Sequence, residues 1–158
     1  AWSQHVDRDD VVEGGGVGAG TLLTPADVLA AKHAGAQFGV SPGSTLKLLD
    51  AVEDADLPTL PGAATASEAM ALLERGYTIQ KFFPAEASGG VPALKAIGAP
   101  IPQVRFCPTG GVSLANAPQY LGLSNTVCVG GSWVAPNDAI EAGDWDRIEE
   151  LAREAAAL

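Results

Sequence analysis

Lys81 is the residue whose type and setting say most about chemistry. It interrupts an otherwise apolar run from Ile79 to Phe83 and is followed by two phenylalanines and a proline. Burial disfavours an ammonium and lowers its pKa, yielding the neutral amine that attacks a ketone carbon, the electronic requirement of Schiff-base catalysis. A lysine at a strand end that carries its charge out to water has the same local pattern, which divides evenly between the two readings. Glu86, just after the run KFFPA, is a carboxylate near the lysine in sequence. It reads as a proton carrier or, more commonly for such a position, as an exposed loop acid.

Two glycine turns form the second constellation, Thr109-Gly110-Gly111 and Gly130-Gly131-Ser132. Glycine there lets a backbone approach a phosphate closely and donate N–H groups with no side chain in the way. Ser132 adds a hydroxyl, and a helical turn after it would add its dipole. Either motif alone reads more simply as a tight turn; two at the ends of consecutive strands favour the phosphate reading. His5 and His33 have no metal-ligand partner at useful spacing, so no metal site is expected. No histidine pairs with a serine in a triad pattern. Trp133 and Trp145 read as core or subunit-interface residues.

These residues need elements to hold them. From Val17 onward short apolar runs alternate with helix-patterned stretches at intervals of roughly 20 to 25 residues. The runs are 17–21, 36–41, 57–62, 78–84, 103–111 and 126–132, six expected parallel strands. Helix starts are expected at Thr24-Pro25-Ala26-Asp27 and at Ser67-Glu68, helix ends at Gly35 and Gly76, and a closing amphipathic helix from Asp144 carrying Ile148, Leu151 and Ala155. Pro118 is expected to end or bend its segment. Repeated strand-helix units leave an open doubly wound sheet or a closed eightfold barrel. The paired glycine turns favour the barrel, which builds its phosphate site after strands 7 and 8. Counting back from them makes residues 17–21 the third strand. The expected fold is therefore α/β, a (β/α)8 TIM barrel reduced to about six strand-helix units, in keeping with 158 residues against about 250 for the fold. Residues 1–16 read as a leader or linker, and 17–158 as the partial barrel domain. Thr21, Pro42 in the Ser41-Pro42-Gly43 turn, and Pro61-Gly62 fall at C-terminal strand ends, the face that carries active sites in such barrels. They are candidates for pocket lining, although for Ser41 and Pro61 a plain turn role is preferred. A six-strand sheet would leave two unpaired edges, which predicts aggregation, strand exchange or a completing partner.

A net charge of −10 and only nine Lys and Arg, scattered along the chain, exclude a nucleic-acid partner held through phosphates. The 47% hydrophobic content excludes a disordered chain. Cys107 and Cys128 lie in apolar runs and read as reduced core thiols. No leader of charged-then-apolar type and no run of about 18 apolar residues is present, so no membrane association is expected and the localisation reads as cytoplasmic.

VGAGTLL, SPG, LPG, KFFPAE, VRFCPTGG and VCVGGSW occur in an order that resembles the 2-keto-3-deoxy-6-phosphogluconate and 4-hydroxy-2-oxoglutarate aldolases. The resemblance runs from about Val17 to Ala156 and covers the later three quarters of the family's length. It implies a homotrimeric, cofactor-free barrel that cleaves a phosphorylated six-carbon keto acid to pyruvate and glyceraldehyde 3-phosphate. By the same resemblance Lys81 forms the imine, Thr21, Pro42 and Phe83 line the pyruvate pocket, and Gly110, Gly111, Gly131 and Ser132 hold the phosphate. Thr109 falls where the family's choice of C4 epimer is made. The family's acid/base glutamate and its carboxylate-gripping arginine have no counterpart; Glu13 is the only glutamate before the matched region, and its glycine-rich setting does not reproduce the motif. The expected function is thus Schiff-base aldol cleavage by an N-terminally truncated chain. The alternatives are another phosphate-binding barrel enzyme or a non-catalytic phosphate-binding fragment.

Overall fold

The computed structural model describes residues 16–158. His5 and Glu13, with most of the expected leader, lie outside the described residues. The chain divides into two compact units, the first ending at Lys81 and the second spanning Phe82–Leu158.

The first unit is built from β1 (Gly18–Ala19), α1 (Pro25–His33), β2 (Phe38–Val40), α2 (Leu46–Asp54), β3 (Thr59–Leu60), β4 (Gly62–Ala63), α3 (Ala66–Glu74) and all but the last residue of β5 (Ile79–Phe82). Strands β1, β2 and β3 form a parallel sheet in that order, with Gly18 opposite Phe38 and Gly39 opposite Thr59. Parallel neighbours need a crossover, and α1 and α2 supply it. Those helices bury Val28, Ala31, Leu48 and Val52 with Leu22 and Leu57 in one apolar cluster. Lys32 places positive charge in the last turn of α1, where the helix dipole favours it.

Helix α1 begins as expected: the Thr24 Oγ1 accepts from Asp27 N–H at 3.2 Å, and Asp27 Oδ2 accepts from Thr24 N–H at 2.8 Å, a reciprocal capping box. Helix α3 starts earlier than Ser67, because Thr65 is the cap and Glu68 closes the same box from the third position. Gly35 and Gly76 follow their helices at φ 85° and 90°, the left-handed conformation that favours glycine. The run 57–62 is divided: Pro61, lacking an N–H, separates β3 from β4.

The second unit holds Phe82 at the end of β5, then α4 (Gly90–Gly98), β6 (Arg105–Pro108), α5 (Ala117–Leu121), a 3-10 turn (Ser132–Val134), α6 (Asn137–Ala142) and α7 (Trp145–Ala156). Phe82 and Phe106 are both fully buried and meet edge to face, ring centroids 6.4 Å apart. The closing helix α7 matches expectation, with Ile148, Leu151 and Ala155 half-buried along one side.

Three expectations are corrected in this unit. Residues 126–132 do not form a sixth regular strand but touch β6 through single bridges, Phe106 to Thr126 and Thr109 to Gly130. Between those bridges β6 advances three residues and its neighbour four, so a bulge breaks the ladder. Pro118 neither ends nor bends a helix; it sits in the first turn of α5, where its missing N–H is harmless. Cys107 is a buried thiol as expected, but Cys128, in the bulged segment, is exposed. Among the described residues no helix is long and apolar enough to cross a membrane.

Candidate functional site

In the first unit, Lys81 stands one residue from the end of β5, tied to the neighbouring chain by its N–H, which donates to Pro61 O at 2.8 Å. Strand alternation sets its face: Gln80 and Phe82 are fully buried, whereas Lys81 is half-buried on the opposite side with Ile79. Gln80 is fixed beneath the sheet by its Nε2, which donates to Ala69 O at 3.0 Å and Tyr77 O at 2.9 Å. The strand therefore presents Lys81 from a backbone anchored on its other face.

Thr21 follows β1 with φ 60°, a conformation rare for a β-branched residue. The next residue explains how it is held: Leu22 N–H donates to Val40 O at 3.0 Å, and the Leu22 side chain is buried. Such strain amounts to about 1–3 kcal/mol and persists only where the surroundings enforce it, most often at binding sites. Pro42 is half-buried in a turn that interlocks with the one after β3. A Cβ on Gly62 would meet Pro42 O at 2.2 Å, so only glycine lets the two backbones approach. Ser41 N–H donates to Leu60 O at 3.2 Å and Ser44 Oγ to Gly62 O at 2.8 Å, closing the pair of turns. Ser41 itself is 1% exposed, and its hydroxyl has no partner among the described residues.

In the second unit the FFPAE segment and the first glycine turn are laced together. Thr109 N–H donates to Phe82 O at 3.0 Å, Ala85 N–H to Thr109 O at 2.8 Å and Glu86 N–H to Gly110 O at 3.1 Å. Phe83 lies against Gly110, where an added Cβ would stand 3.1 Å from its ring, and the Phe83-Pro84 bond is cis. Gly110 and Gly111 adopt φ 93° and 79°, so both positions of the turn favour glycine. The second turn comes alongside by backbone pairing, Gly130 N–H to Pro108 O at 3.0 Å, and a Cβ on Gly130 would lie 2.6 Å from Thr109 Cγ2. The Thr109 hydroxyl is buried with no hydrogen-bond partner among the described residues. Gly131 is extended, and its constraint is Trp133, whose ring would stand 1.8 Å from a Cβ there. Ser132 opens a single 3-10 turn rather than an α-helix.

Thr21, Pro42 and Lys81 thus belong to the first unit, and Phe83, Thr109, Gly110, Gly111, Gly131 and Ser132 to the second. Sequence reasoning missed two residues that support the first glycine turn. Asn116 accepts from Ser113 N–H at 2.7 Å and donates from Nδ2 to Gly111 O at 3.1 Å. Tyr120, completely buried, donates its hydroxyl to Glu86 Oε1. Burial first, and the Glu86 carboxylate second, raise the Tyr120 pKa well above the usual tyrosine range, so it stays a donor. Asn116 carried a local signal, a turn residue shortly after Thr109-Gly110-Gly111; Tyr120 carried none. Nearby, a hydrogen bond from Cys107 pulls the Cys128 thiol down to about 7.

The family model for KDPG and KHG aldolase matches residues 5–151 of this chain. The KHG/KDPG aldolase of Escherichia coli K12 is 55% identical over 139 residues, covering 88% of this chain and 65% of that protein. The 2-dehydro-3-deoxy-phosphogluconate aldolase of Pseudoalteromonas atlantica is 54% identical over 141 residues, covering 89% and 66% respectively. The chain therefore spans about two thirds of the length of these curated relatives. Among solved structures, the Legionella pneumophila KDPG aldolase, with pyruvate captured at low pH as a covalent carbinolamine intermediate, superposes with a TM-score of 0.84 at 48% identity, covering 87% of this chain and 67% of that one. The Zymomonas mobilis 2-keto-3-deoxy-6-phosphogluconate aldolase with 3-phosphoglycerate gives a TM-score of 0.85 at 46% identity, covering 92% and 68%. A half-buried strand lysine, a strained threonine, two left-handed glycines after β6 and this breadth of similarity converge on one assignment: the chain belongs to the KDPG and KHG aldolase family.

Proposed function

We propose that this chain carries the imine-forming part of a class I aldolase that cleaves 2-dehydro-3-deoxy-6-phosphogluconate to pyruvate and glyceraldehyde 3-phosphate, with 4-hydroxy-2-oxoglutarate cleaved to pyruvate and glyoxylate as a related reaction. The observation that carries the reading is Lys81, half-buried on an anchored strand, in a chain 48% identical to an aldolase captured with pyruvate as a covalent carbinolamine.

In this mechanism the Lys81 amine adds to the C2 ketone, water leaves, and the protonated imine draws electrons from the C3–C4 bond, which breaks as the C4 hydroxyl gives up its proton and becomes the aldehyde carbonyl. The enamine is then protonated at C3 and hydrolysed to pyruvate, returning the amine. Thr21, Pro42 and Phe83 line the pyruvate end, and Gly110, Gly111, Gly131 and Ser132 hold the phosphate, so that remote binding orients the reacting bond. Thr109 suits the substrate-reading role: a buried hydroxyl without a partner among the described residues is costly by about 1–3 kcal/mol and is relieved by a ligand hydroxyl. Glu86 receives no proton-transfer role, because its carboxylate is engaged by Tyr120.

The reading extends to architecture. The strand-helix units correspond to strands 3 to 8 of an eightfold barrel, with the bulged segment 126–132 in the place of the last strand, assembled as a homotrimer and acting in the cytoplasm without a cofactor. Strand-helix alternation supports the first element, and the family assignment supports the others.

Pyruvate release from either keto acid, followed by lactate dehydrogenase and NADH oxidation, tests the activity. Release by the parent chain that disappears in Lys81→Ala is the expected result. Equal release by both, or none by a folded parent chain, overturns it.

A further inference from the structure

We infer that Tyr120 is a positioning residue for the phosphate turn: by pinning the Glu86 carboxylate on the Gly90 side, it keeps an acid packed under Gly111 from repelling the anion that the turn binds. The inference rests on the phosphate reading of the Thr109-Gly110-Gly111 turn and deepens it.

Glu86 occupies an unusual place for an acidic residue near an anion site. Its stem lies directly beneath the turn, since a Cβ on Gly111 would stand 2.7 Å from Glu86 Cγ and 2.8 Å from its Cβ. Its N–H donates to Gly110 O at 3.1 Å, so the residue is also part of the turn's scaffold and cannot be moved away as a whole. Asn116 engages the other carbonyl, Gly111 O. With both carbonyls held, the turn has its amides to offer an anion, and a carboxylate next to them would oppose binding.

Tyr120 resolves the conflict. Its hydroxyl donates to Glu86 Oε1 from a fully buried position. The pair sits beside Gly90: a Cβ there would lie 3.5 Å from both Glu86 Oε1 and the Tyr120 hydroxyl, ordinary contact distance. A charge-assisted bond to a side chain that cannot move fixes which way the carboxylate points. Phenylalanine at 120 would keep the ring packing and release the carboxylate.

The test is a titration of the parent chain, Tyr120→Phe, Glu86→Gln and the double variant with inorganic phosphate, following the Gly110 and Gly111 amides by 1H-15N NMR. Phosphate is expected to shift those amides in the parent chain. Tyr120→Phe should bind about tenfold more weakly, the scale of one lost hydrogen bond to a charged group. The double variant should regain most of that loss, since the released group is then neutral. Glu86→Gln alone should bind within about twofold of the parent, because its carboxylate charge is already turned aside.

Unchanged affinity in Tyr120→Phe, or weak binding that the second change does not restore, overturns the inference and leaves the phosphate reading standing. A tenfold gain in Glu86→Gln alone also overturns it, even if Tyr120→Phe does not fold. No phosphate-dependent shift at either glycine in the parent chain sinks the phosphate reading and the inference with it.

Discussion

Replacing Gly62 by alanine puts the interlocked turns of the first unit to a quantitative test. The added methyl would stand 2.2 Å from Pro42 O, 2.3 Å from Pro42 C and 2.7 Å from Gly43 N, all backbone atoms that have no rotamer to yield. Gly62 is buried, so the methyl has no outward path. The turns must separate, which strains the packing by about 1–3 kcal/mol. Separation also breaks the Ser44 Oγ to Gly62 O bond of 2.8 Å, contributing about 1 kcal/mol more. The sum is a loss of about 2–4 kcal/mol, a large share of the stability of an ordinary domain. For 158 residues it corresponds to a fall in Tm of about 4–16 °C. Gly43→Ala is the control: nothing lies within 4 Å of a Cβ there, so its Tm should stay close to the parent's or rise slightly. Thermal unfolding followed by circular dichroism compares the two. A Gly62→Ala protein that melts within about 1 °C of the parent would refute the reasoning, because the close approach would then cost nothing.

Four further expectations follow from single residues. Thr24→Ala removes half of the capping box on α1 and should destabilise the protein by about 1 kcal/mol in urea unfolding. The same box makes α1 acid-sensitive: backbone N–H bonds from Leu23, with Thr24, hold the Asp27 pKa below its ordinary value, so its contribution is present above that value and fades as pH falls through the lowered one. Asp27→Asn should therefore flatten the loss of stability seen below about pH 4. With its thiol lowered to about 7, Cys128 should be alkylated by iodoacetamide at a rate rising through neutral pH and ahead of buried Cys107; peptide mapping that finds Cys107 modified first would contradict the placement. Thr21→Val keeps the β-branch at φ 60° and exchanges only the hydroxyl for a methyl, so stability should change by less than about 0.5 kcal/mol while the yield of pyruvate adduct falls about tenfold.

How far these features were readable from the sequence depended on whether they were local. Thr24 with Asp27, and the glycines at 35 and 76, act within four or five residues, and the structure places them as read. The start of α3 is also local: Thr65 and Glu68 have the spacing of a capping box, and Ser67, which directly precedes Glu68 and the apolar run, lies inside the helix instead of capping it. The loss of a regular strand at 126–132 was not readable, since the bulge is defined only by counting residues against β6. Cys128 was misjudged for the same reason, its apolar neighbours being the strand that did not form. In the candidate site, Lys81 and the glycine turns are proposed from residue type and setting, and the substrate-reading role of Thr109 from the resemblance. Tyr120 and Glu86 are 34 positions apart, and no periodicity connects them; their pairing exists only once α5 packs beside the FFPAE segment.

The most direct test of the central claim is to incubate the chain with pyruvate, reduce with borohydride and map the adduct by mass spectrometry, with Lys81→Ala as the control. The account expects one pyruvate-derived adduct, on Lys81, and none in the variant. A folded parent chain that yields no adduct, or one that is labelled equally in Lys81→Ala, would contradict it.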